Sequence, residues 1–446
     1  MAKLLRVLVM GFALTVLASL PARAQGLIRD AEIEYALGQL LAPLANAAGL
    51  GNGRIKVIMV NDRSLNAFVA DGRTIFIHTG LLLKLKTADQ VQAVLAHELA
   101  HIANGHITRR ISNLRNARQS AIAGLVAAIA VGASGNTAAA AGLAVGAESA
   151  STRAFLTHTR AEEAAADQTA ARYMVAAGVP PRAMVEVLEL FRGQEALSGS
   201  SRVDPYVLTH PLTRNRLRAV IGFANAYEDD VVPQDNGSDY WFARAQGKLS
   251  AFLNSSSYTL RRVKKNDNSD VALIRKAVAY HRRPDAKAAL REIDKLVAKR
   301  PNDPYVHELR GQILLESRNA KAAVSAYARA VNLAGHEALI RAGYGRALLA
   351  LNTADGNRKA LSALESARGR DPYDPRMLRD LAVAYARAGN NGMASVVTAE
   401  RYALTGRLKD AVVHAKRAEG LLPRGSRGWL RAQDILAVAA SSSRKK

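Results

Sequence analysis

Two histidines four residues apart with a glutamate between them carry the plainest chemistry in this chain: His97-Glu98-Leu99-Ala100-His101. At about 3.6 residues per turn, both imidazoles leave the same helix face one turn apart. That spacing lets two ring nitrogens reach one zinc ion at about 2.0–2.1 Å. Glu98 is rotated about 100° from His97. It can face an attacking water without ligating, and serve as general base. The plain alternative is a solvated helix with incidental histidines. Val91, Val94, Leu95, Leu99 and Ile102 argue against it, because they bury the helix, and a buried His or Glu without a partner is costly.

A hydrolytic zinc site takes three protein ligands. One class of such sites would carry glycine at 104 and histidine at 107. Those positions hold Asn104 and Ile107, which excludes that class. His106 lies about 140° around the helix from His101 and suits a supporting role better than ligation. A later stretch, Arg160-Ala161-Glu162-Glu163-Ala164-Ala165-Ala166-Asp167, offers acids instead. Glu163 and Asp167 sit one turn apart on one helix face. Glu163 can therefore ligate zinc, while Asp167 accepts a hydrogen bond from a ligating imidazole and fixes its tautomer. Glu162 competes for the ligand role, but its offset of five residues from Asp167 takes it off that face.

Five motifs in order carry a resemblance: Asn66-Ala67-Phe68, Gly80-Leu81-Leu82, His97 to His101 continuing to His106, Arg160-x-x-Glu163-x-x-x-Asp167, and His210-Pro211-Leu212-x-x-x-Arg216. Together they resemble gluzincin metallopeptidases of the HtpX and CAAX-prenyl-protease type, and within it the exported, repeat-bearing BepA-like branch. The motifs span most of residues 28–220. The sequence departs mildly at Ala165, where many relatives carry a second acid. The resemblance implies His97, His101 and Glu163 as ligands of one Zn2+ per chain, with Glu98 as catalyst. It also implies that the His210-Pro211 motif lies near the metal. Arg216 is then expected to stabilise an oxyanion. His210 is expected to do the same, or to take the open zinc position in a latent state. The rival reading of His210-Pro211 is a turn that merely opens the helix at 213–224.

The elements that must position these groups are readable. Ile33, Leu37, Leu40, Leu41 and Leu44 recur at helical spacing over 28–48. Val57 to Val60 and Thr74 to Ile77 read as strands, with Asn61–Ser64 and Asp71-Gly72 as turns, giving a small hairpin-like sheet before the motif helix. The 74–77 strand is taken as an edge against which an extended peptide could pair. Thr87 is the expected N-cap of the motif helix, which runs to about Ala103. Two apolar runs within 119–149 are each too short to span a bilayer and read as a helical hairpin, buried or touching a membrane surface. The helix carrying Glu163 stops at Gly178-Val179-Pro180-Pro181, and another covers roughly 182–193.

The remainder differs in character. Ala289, Ile293, Leu296 and Pro301 return 34 residues later as Ala323, Tyr327, Ala330 and Gly335, with degenerate copies beyond. That period resembles tetratricopeptide repeats, whose helix pairs stack into a curved solenoid. The polar stretch Lys264–Asp270 reads as the linker into it. Charge divides the same way. Residues 1–243 hold 23 Lys and Arg against 20 Asp and Glu, whereas residues 244–446 hold 39 against 18. Such a field favours acidic partners.

Lys3 and Arg6, the apolar run Val7–Leu20 and the sequence Ala22-Arg23-Ala24 read as a cleaved secretory signal. No cysteine occurs, so neither a disulfide framework nor thiolate ligation is available. Export turns the basic half toward anionic lipid surfaces or polypeptides and away from nucleic acid. The expected architecture is mainly α. A signal occupies 1–24, an α+β zincin-like metallopeptidase domain with a small sheet 25–263, and an α-solenoid of TPR-like repeats 264–446. The expected function is zinc-dependent endopeptidase activity in the periplasm on misfolded or stalled envelope and outer-membrane proteins. The repeats would recruit unfolded envelope proteins or outer-membrane assembly machinery, with peripheral contact to an anionic membrane surface. A chaperone or scaffold with a latent protease site is the alternative.

Overall fold

A computed structural model describes residues 26–51, 53–69, 72–106, 109, 160–194 and 204–443. The signal read at 1–24 and the apolar pair at 119–149 lie outside these residues. The described chain forms two compact units, residues 27–389 and residues 390 onward.

In the first unit, Asp30 opens α1 (Ala31–Ala47) by accepting a hydrogen bond from the Ile33 N–H at 3.0 Å. The helix buries Ile33, Leu37, Leu40, Leu41 and Leu44, the face expected from their spacing. Four strands follow the order β1-β2-β4-β3: β1 (Leu27–Ile28), β2 (Lys56–Val60), β3 (Ala67–Val69) and β4 (Thr74–His78). The Asp71-Gly72 turn signal falls between β3 and β4, which pair antiparallel with Phe68 opposite Phe76. The sheet is more than a hairpin, because β2 lies parallel to β4, Val57 beside Ile75. The 74–77 strand is therefore interior, and β1 and β3 form the edges. Ile75 and Ile77 share one face and are wholly buried in the core with Leu37, Leu40 and Val91.

α2 (Thr79–Lys84) presses against the loop after β2. The Gly80 N–H donates to the Asp62 carbonyl at 2.9 Å, and a Cβ at Gly80 would lie 2.0 Å from the Arg63 carbonyl oxygen. Only glycine allows that approach. α3 (Ala88–Ala103) carries the His97–His101 motif. Thr87 Oγ1 caps it by accepting from Gln90 N–H, and every residue from Gln90 to His101 is buried. Residues 160–176 form α4. Gly178, at φ 71°, ends it before Pro180. Then come α5 (Arg182–Glu189), α6 (Pro205–Thr209), α7 (Arg214–Ala226), α8 (Ser238–Leu253) and α9 (Ser256–Arg261).

The linker read at 264–270 is a turn into α10, and it lies within the first unit rather than between units. Helix pairs follow: α10 (Asp270–Arg282) with α11 (Ala286–Lys299), α12 (Pro304–Glu316) with α13 (Ala320–Leu333), α14 (Ala338–Ala350) with α15 (Ala354–Arg370), then α16 (Pro375–Arg387). The sequence period is visible in the caps. Asp285, Asn319 and Thr353 each accept from the N–H three residues on, opening α11, α13 and α15. It is visible also at helix crossings, where Tyr327 of α13 fills the space a Cβ on Gly343 would need. The second unit holds α17 (Asn391–Leu404), α18 (Leu408–Leu421) and α19 (Arg427–Ser443) around Val396, Ala399, Ala415, Ala418 and Ala432. The chain is thus mainly α, a small mixed sheet with packed helices followed by an α-solenoid of TPR-like helix pairs.

Candidate metal centre

Three elements of the first unit converge on one point. α3 supplies His97 and His101, α4 supplies Glu163, and the residue that ends α6 is His210. His97 Nε2 lies 3.1 Å from His101 Nε2, 3.2 Å from Glu163 Oε2 and 3.3 Å from His210 Nδ1. His101 Nε2 is 3.2 Å from Glu163 Oε1, and His210 Nδ1 is 3.0 Å from the same oxygen. All four residues are buried, at 1–3% exposure. Among the described residues they are the one His, Cys, Asp or Glu group whose donor atoms could hold a metal ion.

The donor chemistry fits a cation. His97 Nδ1 faces Asp167 Oδ1 at 3.0 Å. Burial opposes ionisation of Asp167, but Arg216 and His97 outweigh it and hold the carboxyl below its ordinary range. An ionised Asp167 this close favours a proton on Nδ1, so His97 turns a lone pair from Nε2 toward the centre. His106 Nδ1 approaches His101 Nδ1 at 3.0 Å, which leaves His101 Nε2 facing inward. Lone pairs and carboxylate oxygens about 3 Å apart repel unless a cation sits among them. Donors about 2.05 Å from a tetrahedral zinc would themselves be separated by about 3.3 Å, close to the spacings here.

Protons alone serve this cluster poorly. Burial opposes charge on His97, yet Glu163 and Asp167 push it up to about 9. Burial dominates at His101 and pushes it down to about 3. Two imidazoles in one site are thereby driven to opposite states, where a metal would hold both neutral. Burial also opposes ionisation of Glu163, and its neighbours, the Arg216 guanidinium among them, hold it well below the usual carboxylate range.

Glu98 points beside the donors, not among them. Its Oε1 lies 3.4 Å from His210 Nε2, and both atoms are buried without a hydrogen-bond partner among the described residues. Arg216, expected to meet an oxyanion, is directed elsewhere. Its Nε donates to Asp167 Oδ2 at 2.6 Å, its Nη2 to Asp167 Oδ1 at 2.9 Å, and its Nη1 lies 2.9 Å from Glu163 Oε2. The reason is charge, since two buried carboxylates need a fixed cation and a guanidinium fork matches them. Glu162 does not join the cluster; Arg109 Nε lies 3.9 Å from its Oε1.

Residues 32–223 match the profile of peptidase family M48. Those residues are an M48 peptidase domain. The M48 domain encloses every donor of the cluster. Over 414 residues the chain is 23% identical to the beta-barrel assembly-enhancing protease of Escherichia coli, covering 90% of this chain and 81% of that protein. Protease HtpX of Vibrio cholerae is 38% identical over 78 residues, 17% of this chain and 26% of that protein. A solved TPR protein, YrrB, described as having an unusual peptide-binding site, aligns with 43% of this chain and 96% of its own at 18% identity and a TM-score of 0.31. That superposition is too loose to argue from, and the repeat architecture rests on the helix pairs themselves. The M48 domain is a metallopeptidase domain.

What holds His210 in place is not legible in the sequence. Asp204 Oδ1 accepts from the Leu65 N–H at 3.1 Å, and the Tyr206 N–H donates to the Leu65 carbonyl at 3.2 Å. Gln194 closes the clip, its side chain meeting both Asp204 Oδ2 and the Asp204 N–H at 3.0 Å. The Tyr206 ring lies 4.8 Å from the His210 ring and is fully enclosed. The local signal is Pro205 at the first position of its helix, and nothing in the sequence ties Asp204 to Leu65.

Proposed function

We propose that the chain is a zinc-dependent endopeptidase of the periplasm. It degrades misfolded or stalled envelope and outer-membrane proteins, which its TPR-like repeats recruit together with assembly machinery. The four buried donors separated by about 3 Å carry the chemical part of this reading. The relatives named for beta-barrel assembly, and the signal-like start at 1–24, support the cellular part. No helix of the described residues is long and apolar enough to cross a membrane. We take 25–263 as the catalytic segment and 264–446 as the repeat segment.

His97, His101 and Glu163 would hold one Zn2+, and the ion, when bound, would polarise the scissile carbonyl and the attacking water. Glu98 takes the proton of that water and returns it to the leaving amine nitrogen. Asp167 keeps the His97 tautomer, and Arg216 keeps Glu163 and Asp167 ionised and oriented. His210, with Nδ1 among the donors and Nε2 toward Glu98, fits either a resting fourth ligand or an oxyanion donor once it turns outward. Extended substrate would pair along β3, one of the two edges of the sheet, through backbone bonds that demand little of side chains.

The test is direct. The purified chain and its Glu98→Gln variant are offered an unfolded protein, with and without a zinc chelator, and bound metal is measured. Zinc-dependent cleavage lost in the variant supports the reading. Absence of zinc, or cleavage that Glu98→Gln leaves intact, rejects it. His210 among the donors also favours a second reading, a chaperone or scaffold with a latent site. Equal suppression of substrate aggregation by both forms, without cleavage, would select that one.

A further inference from the structure

The second unit has a surface the peptidase chemistry does not use. Of ten large apolar side chains exposed among the described residues, five fall in it: Leu404, Val413, Leu421, Leu430 and Val438. Residues 390–443 hold eight Lys and Arg against four Asp and Glu. Two of those acids are engaged internally, Asp410 by Arg407 at 2.7 Å and Glu400 by Arg431 at 2.6 Å.

On α18 the two features merge. At about 100° per residue, Lys416, Lys409, Val413, Arg417 and Leu421 fall in one band about 140° wide, and all five are exposed. Asp410, bonded by Arg407, falls within the same band, and Glu419, which Gln433 bonds at 2.8 Å, lies about 60° beyond its Lys416 edge. From the end of α17 Tyr402 stacks on His414, midway along α18, with ring centroids 5.4 Å apart, and Arg401 and Arg407 cover the tyrosine face at 4.7 and 4.5 Å. Tyrosine beside arginine suits a boundary that is apolar on one side and charged on the other. α19 adds further apolar exposure. Leu430 and Val438 are 50% and 57% exposed on it, with Asp434 between them.

The geometry points to this unit as a docking surface for an anionic phospholipid membrane, with α18 lying along the headgroups. Cations alone would serve an acidic polypeptide or a nucleic acid equally. The apolar side chains set among them select lipid, because such a helix binds by burying apolar area as well as by charge. The surface is independent of the peptidase reading.

The experiment sediments the full chain with vesicles of equimolar phosphatidylcholine and phosphatidylglycerol, or of phosphatidylcholine alone, over a range of salt. Binding to the anionic vesicles only, weakened by salt, is expected. Lys416→Gln with Arg417→Gln should weaken it about 30-fold, two surface cations having been removed. Val413→Ser with Leu421→Ser should weaken it about tenfold at unchanged charge. Circular dichroism melts verify that each variant is folded, and polyglutamate serves as a competing probe. No binding to anionic vesicles, or binding that neither double variant alters, overturns the proposal. Polyglutamate binding that needs Lys416 and Arg417 but not Val413 and Leu421 also overturns it and assigns the surface to an acidic polypeptide.

Discussion

Three buried carboxylates stand around the imidazoles of the metal centre, and their neighbours give them separate work. Glu98 has no cation within the cluster to fix it and faces His210 at 3.4 Å. Glu163 and Asp167 are both held by Arg216. Replacing Glu98 by glutamine should lower kcat on an unfolded substrate about 10²- to 10⁴-fold, the usual worth of a general base, with bound zinc unchanged by metal analysis. Asp167→Asn should leave the donors in place but weaken zinc binding about 10- to 100-fold in a chelator competition, because the His97 tautomer is no longer enforced. Glu163 and Asp167 were legible as a pair from their spacing. The direction of the Arg216 guanidinium was not, since it depends on two carboxylates from a different helix.

At the scale of elements, the start of α10 is where the repeat helices meet the helix before them. Asp270 accepts from Lys299 and Arg300 at the end of α11, both at 2.8 Å, and from the Tyr240 hydroxyl of α8 at 3.0 Å. Burial opposes its ionisation, but these three donors prevail and pull its pKa down from 3.8 to about 2. A carboxyl depressed on folding adds stability that is complete above its unfolded value and disappears as pH falls through its folded one. The thermal midpoint of the wild type should therefore fall between about pH 4 and pH 2, and Asp270→Asn should flatten that limb while lowering the midpoint at neutral pH. The sequence marked Lys264–Asp270 as a linker on polarity alone. Polarity does not separate a free linker from a turn anchored to other helices by one carboxylate, Asp270.

Across the first unit, α8 carries two fully buried cations. Arg244 bonds Glu32 of α1 at 2.6 Å and also Asp303, the cap of α12. Lys248 reaches Asp30 at 2.9 Å and Glu32 at 3.2 Å, with Glu308 of α12 at 3.8 Å. Arg29 bonds Glu34 at 2.6 Å and Asp371, just before α16. Acids at the start of the peptidase domain are thus paired through α8 with acids of the repeats. Arg244→Met would leave Glu32 and Asp303 short of a partner and should cost about 3–5 kcal/mol in denaturant unfolding. A chain ending at residue 263 would lose Asp303, Glu308 and Asp371 together. It should melt well below the full chain and be cut more readily by an added protease.

By itself the sequence determined the ingredients that depend on local spacing: the two histidines one turn apart, Glu163 and Asp167 on one face, the capped helices, and the repeat period. Helical geometry fixes those relations wherever the helix lies. Tertiary structure alone decided how separate segments share space. It made β4 an interior strand, because β2 pairs with it in parallel. It brought His210 among the donors through the Asp204–Leu65 clip, turned Arg216 onto the carboxylates, and joined α1 to α12 through Arg244 and Lys248. Each of these balances burial against charge between residues far apart in the chain, and no local pattern encodes which distant partner meets that cost.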